Sequence, residues 1–103
     1  MPNTEISVID AAAAAIANRD IMAMKSVVSP ELAADLDRLQ RNDPDRFWKN
    51  GQRLVTNVKS GLSVCHRQEQ SNKRWRILLC FGNGEKERVT FVRRDGKLLL
   101  ESL

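Results

Sequence analysis

Apolar positions recur at three- and four-residue intervals up to about residue 60, and afterwards alternate and then gather in short runs between turn signals, which predicts helices first and strands second. Over 5–18, Ile6, Ile9, Ala13, Ile16 and Ala17 fall at helical spacing. The alanines favour helix intrinsically and suit close packing against another helix. Thr4 or Asn3 is the expected cap. Asn18-Arg19-Asp20 breaks the pattern, and Asp20 caps a second helix over 20–28 with Ile21, Met24 and Val28 on one side. Ser29-Pro30-Glu31 restarts the chain: a serine cap, a proline where no donor is needed, and an acid in the first turn. The third helix, 30–40, turns Leu32, Leu36 and Leu39 inward. Asp43-Pro44-Asp45 repeats the device for a fourth helix over 44–60, with Phe47, Leu54, Val55 and Val58 on one face. Residues 55–58 also read as strand, but Gly61 just past the periodic run favours a helix stop.

Alternation from Leu62 predicts a strand over 62–70, and the apolar runs Trp75 to Phe81, Val89 to Val92 and Leu98 to Leu100 predict strands over 74–82, 86–94 and 97–102. Asn83-Gly84 and Asp95-Gly96 separate the last three, and both dipeptides suit a two-residue turn with positive φ at both central positions. Four helices followed by four strands predict an α+β fold: N-terminal helices packed on a curved four-stranded antiparallel meander, in one domain spanning 1–103.

Loop length sets the register. A two-residue loop at Asn83-Gly84 pairs Trp75 with Val92, Ile77 with Thr90 and Leu78 with Val89; one at Asp95-Gly96 pairs Val92 with Leu99 and Phe91 with Leu100. One face then carries Leu62, Val64, His66, Trp75, Ile77, Leu79, Phe81, Val92 and Leu99. The other carries Cys65, Leu78, Cys80, Val89, Phe91, Leu98 and Leu100, bordered by Arg67, Arg74, Arg76 and Arg93. Neither face is polar, and the helices supply one cover. The first face, with larger side chains, is assigned to the helices. The second is expected to meet a second copy, giving a sheet-against-sheet homodimer through Cys65, Arg67, Arg76, Leu78, Cys80, Val89, Phe91, Leu98 and Leu100. Arginine stems lying over the patch are the monomeric alternative. The two cysteines are read as small apolar packing residues rather than a disulfide.

Composition adds limits. The chain is 42% hydrophobic and 29% charged, within the range of a folded globular domain. It has no apolar run long enough to span a bilayer, and no basic region ahead of an apolar one in its first residues. A cytoplasmic location, with no membrane partner, is expected. Residues 1–61 hold eight Lys/Arg and eight Asp/Glu, whereas 62–103 hold nine and five, so the net charge of +4 sits on the predicted sheet.

The opening AAIANRDIMAMKSVVSPEL, 14–32, and the closing VTFVRRDGKLLL, 89–100, resemble the first helices and the last hairpin of small bacterial members of the nuclear-transport-factor-2-like superfamily of cystatin-like α+β cones. That resemblance implies a curved sheet wrapped round helices, a pocket at the open end and frequent dimerisation through the sheets. It implies no single activity, since members include enzymes, ligand-binding modules, secretion components and immunity proteins.

Candidate chemistry is sparse. There is one histidine, no tyrosine and no glycine-rich phosphate loop, nucleophile elbow or zinc signature, so no catalytic residue, metal or cofactor is assigned. Glu101 is the carboxylate expected on the inner face, two strands from His66 and too far for a proton-transfer dyad. Trp48, His66, Trp75 and Glu101 are the candidates for lining a pocket. The expected function is a small dimeric binding or protein-interaction module that takes a small apolar ligand between helices and sheet, or a protein partner. A nucleic-acid binder using Arg67, Arg74, Arg76, Arg93, Arg94 and Lys97 is the alternative, and a small lyase- or isomerase-type enzyme a more distant one.

Overall fold

In a computed structural model, which describes residues 4–103, four helices pack on one face of a four-stranded antiparallel sheet. The helices are α1 (Glu5–Ala17), α2 (Ile21–Lys25), α3 (Pro30–Asn42) and α4 (Pro44–Lys59); the strands are β1 (Leu62–Ser71), β2 (Arg74–Phe81), β3 (Lys86–Arg94) and β4 (Lys97–Ser102), in sheet order β1-β2-β3-β4. The α+β expectation is met, and the shortest dimension, 21 Å, is the thickness of one helix layer on one sheet. Cap chemistry sets the boundaries. Thr4 accepts from the Ser7 N–H while Ser7 answers the Thr4 backbone; Asp20, Ser29 and Asp43 each accept from the N–H three residues on. Each cap is worth about 1 kcal/mol. Asn3, the other expected cap, lies outside the described residues.

The alanine stripe of α1 does pack closely. Ala12, Ala13 and Ala15 are buried, and a side chain on Gly51 of α4 would meet Ile16 Cγ2 at 2.7 Å. The core continues through Val8, Ile9, Met24, Trp48, Leu54 and Val55 onto the sheet.

The two hairpins differ from expectation in an instructive way. At Asp95-Gly96 both residues have positive φ, 52° and 76°, and Val92 faces Leu99 and Phe91 faces Leu100, as the two-residue loop predicts. At the first hairpin only Gly84 is left-handed. Gly84 N–H donates to the Phe81 carbonyl and Phe81 N–H to the Glu85 carbonyl, so the loop is the three residues 82–84 and the register moves by one. Trp75 faces Phe91 and Ile77 faces Val89, rather than Val92 and Thr90. A one-residue shift carries all of β3, and β4 with it, to the opposite face relative to β2. A bulge at Cys65 does the same to the far half of β1, pairing His66 with Leu78.

The helices therefore cover Leu62, Val64, Trp75, Ile77, Leu79, Phe81, Val89, Phe91, Leu98 and Leu100. The helix-free face carries His66, Leu78, Cys80, Val92, Leu99 and most of the sheet's cations. The expected split into two apolar faces is corrected: one face takes nearly all the large side chains. The β4 edge is also covered, because Ser29 N–H donates to the Leu100 carbonyl and Leu100 N–H to the Val27 carbonyl, a short parallel bridge.

Candidate functional site

A concavity lies among the helices. A cleft of about 530 Å³ opens between α1, α2, α3 and α4, floored by Ile16, Met24, Leu36, Leu39, Phe47 and the C-terminal Leu103. It exists because α3 packs loosely: Leu36 is its one buried residue, and Leu39 on the next turn is 49% exposed. Gly51 contributes by absence, since α4 presents no side chain where Ile16 approaches. The rim carries Asn42, Asp43, Arg46 and Asn50. Asp43 spends one oxygen on capping α4 through the Arg46 N–H, and the two opposite charges leave the rim close to neutral. The cleft can hold an apolar body with a hydrogen-bonding group at its mouth.

None of the four predicted pocket residues lines this cleft. Trp48 is 4% exposed and belongs to the core, its ring edge-on to Phe47 at 4.8 Å; it is Phe47, half-buried, that reaches the cleft. Trp75 is fully engaged elsewhere. Its Nε1–H donates to Glu5 at 2.7 Å, its ring stacks on Phe91 at 6.2 Å, and the Arg93 guanidinium lies 6.0 Å from the ring centroid. Arg67 bonds the same Glu5 carboxylate from β1, so the first residue of α1 ties two strands together. A polar hollow of about 370 Å³ beside this knot is lined by Glu5, Arg67, Glu69, Trp75 and Arg93, with Arg67 already paired to Glu5.

His66 and Glu101 occupy the helix-free face, not the inner one. His66 lies against Gln68, Arg76, Leu78 and Arg88 in a depression of about 230 Å³. Glu101 sits where β4 bulges against Thr90 and accepts from Arg74 at 2.9 Å, with Arg94 at 3.8 Å. Arg94 also reaches Glu31 on α3, and its hydrogen bonds hold the Glu31 carboxyl below the ordinary carboxylate range. His66 and Glu101 are on β1 and β4, the two outer strands, so the structure does not bring these two together. Among the described residues no group of three His, Cys, Asp or Glu is placed to hold a metal ion, and no helix is long and apolar enough to cross a membrane.

Of the predicted interface residues, Val89, Phe91, Leu98 and Leu100 are buried beneath the helices, each at 4% exposure or less. Arg67 also turns to the helix side, onto Glu5. Arg76, Leu78, Cys80 and the bulged Cys65 remain on the open face. The cysteines are not packing thiols: they form a disulfide across β1 and β2, with Cα atoms 5.9 Å apart. The alternation already sets both cysteines on one face; in the structure Cys80 faces Ser63, and Cys65, at the bulge, reaches Cys80 diagonally. The cleft itself was also missed. Its one trace in the sequence is Gly51, standing on the apolar face of α4 between Phe47 and Leu54 where a large residue is expected. Compared with models of known families, with curated proteins and with solved structures, the chain matches none.

Proposed function

We propose that the protein is a binding module for a small, uncharged, largely apolar molecule that enters the cleft among the helices. The observation that carries this reading is the cleft: about 530 Å³ with an apolar floor, in the range of small-molecule sites, and a rim of two amides with cancelling charges. An uncharged amphiphile leaves Asp43 and Arg46 undisturbed and finds Asn42 and Asn50 for a hydroxyl or carbonyl. The site lies between helices, not between helices and sheet. The likeness to the nuclear-transport-factor-2-like superfamily goes forward as part of this proposal; the order of helices and strands supports it.

The sheet-against-sheet dimer is not part of the reading. Its apolar surface depended on Val89, Phe91, Leu98 and Leu100, which face the helices, and joining the open faces sets arginines against arginines. The cytoplasmic location, expected from the lack of a spanning or signal-like stretch, is not part of the reading either, because a disulfide such as Cys65–Cys80 is typical of oxidising compartments.

Calorimetric titration with decanol tests the proposal. Binding is expected in the wild type and is lost in Leu39→Trp, whose larger side chain fills the cleft from a half-exposed position that tolerates it. Decanoate, which sets a carboxylate beside Asp43, binds more weakly than decanol. Equal decanol binding by the wild type and Leu39→Trp, or none by either, sinks the reading.

A further inference from the structure

The open face of the sheet carries cations that its acids do not answer. Its one carboxylate, Glu101, is taken by Arg74 and Arg94. Arg76, Arg88, Lys86 and Lys97 are exposed on the same face, and among the described residues no carboxylate bonds any of them. The one-residue register shift assembles this set. Leu78 faces Arg88, Cys80 faces Lys86 and Arg94 faces Lys97, so the cations of β3 and β4 join Arg76 rather than lying behind it.

The centre is built. His66, Leu78 and Arg88 align across three strands, and Gln68, Arg76 and Thr90 align across the next row. Arg76 and Arg88 are thus diagonal neighbours about 7–8 Å apart at Cα, with His66 and Gln68 completing one wall of the depression. Two uncompensated guanidinium groups on neighbouring strands repel each other, and an anion between them relieves the repulsion. Both groups also offer the planar fork that suits phosphate.

We infer that this face binds the sugar–phosphate backbone of a nucleic-acid duplex, through Arg76 and Arg88 at the centre and Lys86 and Lys97 at the margins. Charge complementarity selects the class of partner, and three further features select within it. The exposed large apolar residues, Ile6, Met22, Leu39 and Leu103, all lie off this face, and Leu78, Val92 and Leu99 on it are buried or half-buried, so it offers little to insert into a lipid surface. An extended acidic peptide would pair with a sheet edge, but residues 27–29 occupy the β4 edge and bulges interrupt β1. Trp75, Phe81 and Phe91 face the helices, leaving no aromatic platform for unstacked bases. What remains is regular phosphate recognition, independent of sequence. This inference is separate from the cleft and stands or falls without it.

Fluorescence anisotropy with a short random-sequence DNA duplex tests it. Four phosphate contacts imply that affinity falls about 150-fold between about 50 and 200 mM salt. Arg76→Gln with Arg88→Gln leaves two contacts, so the salt-dependent loss shrinks to about tenfold and binding at low salt weakens at least tenfold. Both side chains are exposed, so the variant is expected to fold; an unchanged melting curve checks this, and the single Arg88→Gln gives an intermediate effect. Lys49→Gln with Lys59→Gln, the same charge change on α4, leaves duplex binding within about twofold once net charge is allowed for. The inference is overturned by no binding at the lower salt, by equal loss from the two double variants, or by polyglutamate competing no less well than unlabelled duplex. Binding to anionic vesicles as tightly as to duplex overturns it as well.

Discussion

Glu87 sits on the helix-facing side of β3, opposite Leu79, half-buried one step along that face from the buried Val89. Burial pushes its carboxyl up from the ordinary value, and the Arg53 charge nearby pulls it back by less. The folded chain therefore holds this proton more tightly than the unfolded chain does. Ionising Glu87 costs stability; the penalty is absent below the ordinary carboxylate range and grows as pH rises through the folded value. Glu87→Gln keeps the shape without the charge. It is expected to raise stability by about 0.5 kcal/mol at neutral pH and to lose that advantage in acid, where the native carboxyl is already protonated. Urea denaturation at the two pH values measures the difference, and an equal effect at both would show that burial of the charge is not the cause. Glu31 has the opposite sign: the Arg94 hydrogen bonds lower its carboxyl, so its contribution is present above the ordinary range and fades as pH falls through the folded value.

At the scale of elements, the ends of helices and strands were legible because they are written in local chemistry. Ser29-Pro30 and Asp43-Pro44 place caps where α3 and α4 begin, and Asp95-Gly96 closes its hairpin with both residues left-handed. The first hairpin was not legible, because its loop length is decided by a distant contact. Gly82 N–H donates to the Gly61 carbonyl at 2.9 Å, Asn83 N–H to Ser60 Oγ at 3.1 Å, and the Asn83 amide to Asn57 at 2.9 Å. The turn is thus docked on the end of α4, and Gly82 belongs to the loop rather than the strand. A side chain there would place Cβ 1.8 Å from the Ser60 carbonyl oxygen, which is backbone and cannot step aside. Gly82→Ala should cost about 1–3 kcal/mol, comparable with overpacking in a core, although the position is exposed. Chemical denaturation reads the loss. A neutral result at an exposed glycine would mean that the turn does not rest on α4, and the face assignment of β3 and β4 would lose its physical cause. The same reasoning explains the cleft: it is a contact that four helices fail to make, and no local pattern records a missing contact.

For the molecule as a whole, the question is what holds a sheet covered on one side only. The helices bury its inner face, and residues 27–29 close the β4 edge. The β1 edge has neither protection: beyond Val64 every residue of that strand is exposed. Two cross-links hold it instead. One is the ion pair of Arg67 with Glu5; the other is the disulfide from the bulged Cys65 to Cys80. An exposed ion pair is worth at most about 1 kcal/mol, so the disulfide is the stronger restraint on the edge strand. With a sequence separation of 15 between the cysteines, the lost freedom of the unfolded chain corresponds to about 3 kcal/mol. Cys65→Ser with Cys80→Ser, or reduction and alkylation, is therefore expected to lower the melting temperature by about 12–24 °C for a domain of this size. The helices and the inner-face strands should keep their native signal until that transition. The loss should begin at β1, as early hydrogen exchange over 62–71 while β2 and β3 stay protected. If both cysteines are instead free in the folded chain, thiol titration finds two groups and the double substitution changes melting by a degree or less. The bulge would then have to be held by the strand pairing of Val64 and His66 alone, a weak register for an edge strand with one wet face.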